Sequence, residues 1–255
     1  MQTENPVQEL YSNETEQETR NNMWTMLQTC PIPPESQLPN LGLFLNSKNL
    51  SRILMMDFLY RQILNTHGVI MEFGTRWGQN LSLFAALRGI YEPFNRHRKI
   101  IGFDTFEGFP AISPEDNTSS PFAHIGGLMT TVGYETFLDG VMHLQEQDAP
   151  LSHIKKYEII KGDASKTIYD YMGSHTETLI SLAYFDFDMY KPTADCLGAI
   201  WDRCMVGTVI AFDELCDYDS PGETVAFIEA VTNYVGKVKL RRSQFTSRIS
   251  YFIVE

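Results

Sequence analysis

The sequence predicts an α/β fold: a mostly parallel seven-stranded sheet with helices on both faces and an antiparallel C-terminal strand pair. Three observations predict it. Five short, nearly continuous apolar runs (69–73, 100–103, 157–160, 179–187 and 208–212) each end abruptly in polar residues, as strands buried on both faces do. Helix-like stretches separate most of these runs, 81–90 and 193–201 most clearly, and that alternation marks parallel crossover connections. Finally, 255 residues with 43% hydrophobic and 20% charged side chains suit one large domain with a sizeable core.

Taken in order, residues 1–20 are polar and Glu-rich and carry almost no core-forming side chains, which predicts a loosely docked tail. Pro31, Pro33, Pro34 and Pro39 then punctuate an irregular extended segment, so residues 1–45 stand apart from a main domain at 46–255. A helix is expected from Ser47, as N-cap, to about residue 65. Leu50, Ile53, Leu54, Phe58 and Ile63 form its apolar face, and Gly68 follows its end. That face offers a surface to a second copy, as in a homodimer. Residues 111–153 are too long for a simple connection. They predict a helix at 134–144 and a flexible lid, the acceptor insertion. The runs 237–241 and 249–254 close the sheet as the antiparallel pair.

The bulk chemistry excludes several functions. Acidic residues outnumber basic ones 32 to 20, for a net charge of -12, which disfavours a nucleic-acid partner. The one basic stretch, 237–242, reads as a strand with a solvated face. No apolar run reaches the roughly 18–20 residues that span a bilayer, and the polar N-terminus is the reverse of a signal peptide. Cys30, Cys196, Cys204 and Cys216 show no CxxC pair or zinc spacing. Three fall in apolar surroundings, where buried free thiols are expected, and a reducing cytoplasm is the simplest setting.

In an open parallel sheet, ligands bind beyond the carboxyl ends of the strands. After the first run comes Glu72-Phe73-Gly74-Thr75-Arg76-Trp77-Gly78, whose two glycines allow a tight turn at a helix N-terminus. After the second comes Asp104, an acid suited to ribose hydroxyls. After the third come Gly162 and Asp163, placed to edge an adenine ring. The fourth and fifth end in Asp186-Phe187-Asp188 and Asp213-Glu214. Asp186 and Asp188, two apart, face one side of a strand and can share a catalytic task. Carboxylates crowded this way repel unless a cation or protons relieve them, and oxygen-only ligands select Mg²⁺ or Ca²⁺. The plain reading of each acid alone is a solvated strand end or a helix cap. His124, His143, His153 and His175 are alternative bases, each more ordinary as a surface histidine. Trp201, Met55 and Met56 read as core.

At these residues the sequence resembles the macrocin O-methyltransferase (TylF-like) family of class I S-adenosylmethionine-dependent methyltransferases, over about residues 47–231. The resemblance rests on the glycine turn 72–78, on Asp104-Thr105-Phe106-Glu107-Gly108-Phe109-Pro110, on Asp186-Phe187-Asp188-Met189-Tyr190 and on Asp213-Glu214. It implies a Rossmann-like fold and methyl transfer to a hydroxyl of a sugar or other natural-product small molecule, with Mg²⁺ assistance. It implies that Glu72, Gly74, Thr75, Arg76, Trp77 and Gly78 hold the methionine end of S-adenosylmethionine. Asp104, Thr105 and Phe106 would line the ribose, and Asp163 and Ala164 the adenine. Asp186, Asp213 and Glu214 would be metal ligands, and Asp188 the general base. Two departures stand out: Arg76 replaces the middle glycine of GxGxG, and the family's paired aspartates are Asp213-Glu214 here. A carboxylate acceptor would need no base. An NAD-dependent oxidoreductase wants GxGxxG and an acid about 20 residues on, whereas Asp104 lies 30 residues after Gly74. The remaining alternative is a non-catalytic partner protein of the same fold.

Overall fold

The computed structural model describes residues 12–255. The chain divides into two compact units, residues 1–52 and 53–255. In the first, the expected tail is helical from Glu14 onward; residues 1–11 lie outside the described residues. Helix α1 spans Glu14–Gln28 and none of its side chains is buried. A capping box starts it: Asn13 accepts from the Glu16 amide while the Glu16 carboxylate accepts from the Asn13 amide, so orphan donors are satisfied without tertiary help. The proline-punctuated stretch is also not extended. A helical turn, Pro34–Gln37, runs into a 3₁₀ helix, Leu38–Phe44, because Pro34 at the first helical position lacks only an N–H that would be unpaired anyway.

Helix α2, Ser47–Gln62, is capped by Asn46 rather than Ser47: the Asn46 Oδ1 accepts from the Asn49 amide at 2.8 Å. Its buried stripe is Met55, Met56, Leu59, Tyr60 and, just beyond it, Ile63, while Leu54 stays exposed. The face thus lies about one residue round from the expected one, and unbranched methionines fill it.

The sheet then follows: β1 Val69–Phe73, α3 Gln79–Tyr91, β2 Ile100–Asp104, α4 Tyr134–Asp148, β3 Tyr157–Lys161, α5 Ala164–Ser174, β4 Ile180–Phe185, α6 Tyr190–Ile200, β5 Cys204–Phe212, α7 Pro221–Ala230, β6 Arg241–Arg242 and β7 Ser250–Ile253. The strand order is β3-β2-β1-β4-β5-β7-β6. The first five strands are parallel, and β7 runs antiparallel to both β5 and β6. The closing pair is shorter than expected. Residues 237–240 carry no strand, because β7 offers β6 only Tyr251 and Ser250 as partners.

Alternation along each strand builds two cores. Ile70, Ile100, Leu182, Tyr184, Val209 and Ala211 pack with α2, α3 and α4. Met71, Phe73, Phe103, Ala183, Phe185, Ile210 and Phe212 pack with α5, α6 and the end of α7. In the second core one phenylalanine at the carboxyl end of each of β2, β1, β4 and β5 forms a ladder of stacked rings, Phe103–Phe73–Phe185–Phe212, with centroids 5.2, 4.7 and 5.1 Å apart. The strand register puts these four side by side.

Candidate active site

The order of the strands reverses between β1 and β4, the switch point where such sheets open a crevice. By the same alternation that faces the phenylalanines one way, Glu72, Asp104, Asp186 and Asp213 fall on the opposite face. Glu72 is buried, its Oε2 has no hydrogen-bond partner, and burial, then the charge of Asp186, pushes its carboxyl well above the usual range. A buried carboxylate with a spare oxygen suits a cationic ligand.

The glycine turn has two structural requirements of its own. Gly74 has φ +92°, and a Cβ there would lie 1.9 Å from the Asp186 carbonyl oxygen. Gly78, at φ +75°, begins α3 and leaves room for Leu138 of α4. Between them Arg76 takes φ +47°; its amide donates to Asp104 Oδ2 at 2.7 Å, and the Phe106 amide donates to Oδ1 at 2.6 Å. Asp104 therefore ties the glycine turn to the loop after β2, and burial raises its carboxyl. Each oxygen keeps a second lone pair for a hydroxyl. Thr105 is internally occupied, donating to the Gly108 carbonyl and accepting from the Glu107 amide. Trp77 packs edge-on against Tyr134. Asp163 is the N-cap of α5, accepting from the Ser165 amide, and Ala164 is buried behind it.

The acids converge as expected. Oxygens of Asp186, Asp213 and Glu214 lie within 4.8 Å of one another, a set that one hard divalent cation can bridge. Asp213 and Glu214 are buried, so they are not the solvated strand ends of the plain reading. Asp213 Oδ1 accepts from the Tyr184 hydroxyl at 2.5 Å. Glu214 Oε1 pairs with Arg248, while its Oε2 is buried without a partner. Asp188 has a left-handed φ of +61° and accepts from the Ser220 hydroxyl. Burial pushes its carboxyl up to about 6, with Arg248 pulling it down and Asp213 pushing it up. Such a group is poised to exchange a proton near neutrality. Of the histidines offered as alternative bases, His124, His143 and His153 are exposed, and His175 stacks on Tyr171.

Residues that no motif marked complete the site. Glu223 on α7 is fully buried and accepts from the Phe187 and Glu214 amides at 2.9 and 3.1 Å. One carboxylate thus clamps the loops after β4 and β5 together. Asp116 reaches out of the insertion to accept from the Tyr190 amide, at the start of α6, and from the Ser113 amide. Thr130 donates to the Phe106 carbonyl, and Phe109 exchanges backbone bonds with Gly126 and Gly127. The expected lid is therefore docked at several points, and its helix runs to Asp148. Of the four free cysteines only Cys196 is buried, and Cys216 is exposed. No helix among the described residues is long and apolar enough to cross a membrane.

Neither a family model nor a curated protein matches the chain. Solved structures do. The calicheamicin methyltransferase CalS11 is 37% identical, with 96% of this chain and 94% of that chain covered and a TM-score of 0.88. A second structure, of apo CalS11, described as a TDP-rhamnose 3'-O-methyltransferase of calicheamicin biosynthesis, is 35% identical over 96% of each chain, with a TM-score of 0.82. The O-methyltransferase NovP, 16% identical over 80% of this chain and 79% of its own, has a TM-score of 0.62 and shares the fold. The dehydrogenase reading is thereby set aside, and the chain belongs to the S-adenosylmethionine-dependent O-methyltransferases.

Proposed function

We propose that this enzyme methylates a hydroxyl of a sugar or related natural-product scaffold, in the manner of the TylF-like family, with a divalent cation such as Mg²⁺ at the acid cluster. The observation that carries the reading is the meeting of Asp186, Asp213 and Glu214 within 4.8 Å of one another, beyond the strands that flank the glycine turn. The sugar activity described for CalS11, at 35% identity, supports the acceptor class. The free cysteines fit a cytoplasmic setting.

Glu72 would take the ammonium of the methionine moiety on its unpartnered buried Oε2. Asp104 would accept from the ribose hydroxyls with its remaining lone pairs, and Asp163 and Ala164 would edge the adenine. Asp186, Asp213 and Glu214 would hold the cation, which when bound lowers the pKa of a coordinated hydroxyl. Asp188 takes the hydroxyl proton. The acceptor oxygen then forms its bond to the methyl carbon as the carbon–sulfur bond breaks, and the electron pair leaves on sulfur. Charge disappears in that step, so the protein's contribution is alignment and exclusion of water. The docked insertion supplies the cover.

Calorimetric titration with S-adenosylhomocysteine, repeated with NADH and with Mg²⁺ present or absent, tests this. Micromolar binding of S-adenosylhomocysteine alone, strengthened or followed by Mg²⁺ binding that Asp186→Ala and Asp213→Ala abolish, is the expected result. Binding of NADH in its place would sink the reading.

A further inference from the structure

We infer that Arg248 is the resident cation of the acid cluster and competes with a divalent ion for Glu214. The inference rests on the metal reading above and concerns the price at which an ion enters. Asp186, Asp213 and Glu214 bring carboxylate oxygens within 4.8 Å of one another at the ends of β4 and β5, with Glu223 on the Phe187 and Glu214 amides and Asp188 on the Ser220 hydroxyl beside them. Carboxylates crowded this way are relieved by protons or by a counter-ion before any metal arrives.

The fold supplies one. Strand β7 runs antiparallel to β5, with Ser250 opposite Phe212, so the residues just before β7 lie beside those just after β5. The turn there is built, not loose. The Ser243 hydroxyl accepts from the Phe245 and Thr246 amides, the Ser243 amide donates to the Ile249 carbonyl, and the Ile249 amide donates to the Thr246 hydroxyl. Arg248 projects from this turn onto Glu214 Oε1 and also lies 3.5 Å from Asp217 Oδ2. Its charge also acts on Asp213 and Asp188.

Two features indicate exchange rather than a fixed ion pair. Glu214 keeps Oε2 buried without any partner, an oxygen that the guanidinium does not satisfy and a second cation would. Arg248 is itself 41% exposed, and Asp217 beside it is a second carboxylate to which it can withdraw. An arriving ion would share Glu214 with a positive charge or displace it towards Asp217.

The test is Mn²⁺ titration of purified protein by calorimetry, with thermal melts in chelator and in Mn²⁺, on wild type, Arg248→Met and Arg248→Lys. Arg248→Met is expected to bind Mn²⁺ about tenfold more tightly, since a like charge has been removed from the site. It is also expected to melt lower than wild type in chelator and to gain more from Mn²⁺. Arg248→Lys, which keeps the charge, is expected to stay near wild type. Mn²⁺ affinity in folded Arg248→Met equal to or below wild type overturns the inference while leaving the metal reading intact. Should that variant fail to fold, Arg248→Gln carries the same expectation. Binding to the variant but not to wild type supports the inference in its strongest form. Binding to neither sinks the inference together with the metal reading, and S-adenosylhomocysteine titration of the same samples tells that apart from loss of the cofactor site.

Discussion

At the carboxyl edge the two faces of the sheet carry opposite chemistry one residue apart. Each of four adjacent parallel strands ends Phe73-Gly74, Phe103-Asp104, Phe185-Asp186 or Phe212-Asp213. On one face the four rings stack into a continuous apolar floor. Opposite them stand Glu72 and Asp104, whose burial raises their proton affinity, beside Asp186 and Asp213. The backbone stitches the two together: the Gly74 amide donates to the Phe103 carbonyl, Asp186 to Phe73, and Asp213 to Phe185. Rigid stacking on one side therefore fixes where the unfavourable charges on the other side sit. Stability and chemistry are separated by the strand's period of two.

Breaking the floor is expected to have the largest effect. Phe73→Ala removes the ring stacked between Phe103 and Phe185 and should cost about 3–5 kcal/mol of stability, measured by denaturant unfolding. A loss below about 1 kcal/mol would show that the ladder does not bear on the fold. Asp188→Asn addresses the other face. It should lower kcat by about a hundred- to a thousandfold while leaving the unfolding midpoint unchanged or higher, because a crowded charge has gone. A variant that loses activity and stability together would contradict the division of labour.

How much of this the sequence discloses follows the same division. The strand ends were legible because a buried parallel strand must be apolar until it leaves the sheet, so Asp104, Asp186 and Asp213 announce themselves. The acids' convergence follows from the pairing of β4 with β5. Arg248, Glu223, Asp116 and Tyr184 were not legible. Each acts across 29 to 74 residues of chain, a separation that no local pattern registers. Glu223 had the weak signal of a glutamate in the first turn of a helix, where it passes for an ordinary N-terminal charge. Helix α1 had a clearer one, since Asn13 and Glu16 have the spacing of a capping box. A reading based on core-forming side chains passes over it.

The insertion offers a finer comparison, between loops held by side chains and a floor held by packing. Asp116→Ala removes acceptors for the Tyr190 and Ser113 amides and should cost about 1–2 kcal/mol. The loss should be concentrated in the insertion and the loop after β4, as read by hydrogen exchange. Uniform loss of protection across the sheet would mean that the insertion is integral to the core.

The smallest effect is the most diagnostic, because its sign reverses the usual rule that core substitutions destabilise. Glu72 is buried and its folded carboxyl is raised, by desolvation first and by Asp186 second. Between the unfolded value, about 4.3, and the higher folded one, the native state holds a proton that the unfolded chain has released. Stability of the cofactor-free protein therefore falls as pH rises through that window. Glu72→Gln removes the titration and keeps the shape. It should melt close to wild type at pH 4 and above it at pH 8, by about 1 kcal/mol, while binding S-adenosylhomocysteine more weakly through loss of the charge opposite the ammonium. Parallel melting curves for the two proteins from pH 4 to 8 would show that the face opposite the phenylalanines is not charged at a cost, and the contrast between the two faces would reduce to one of shape.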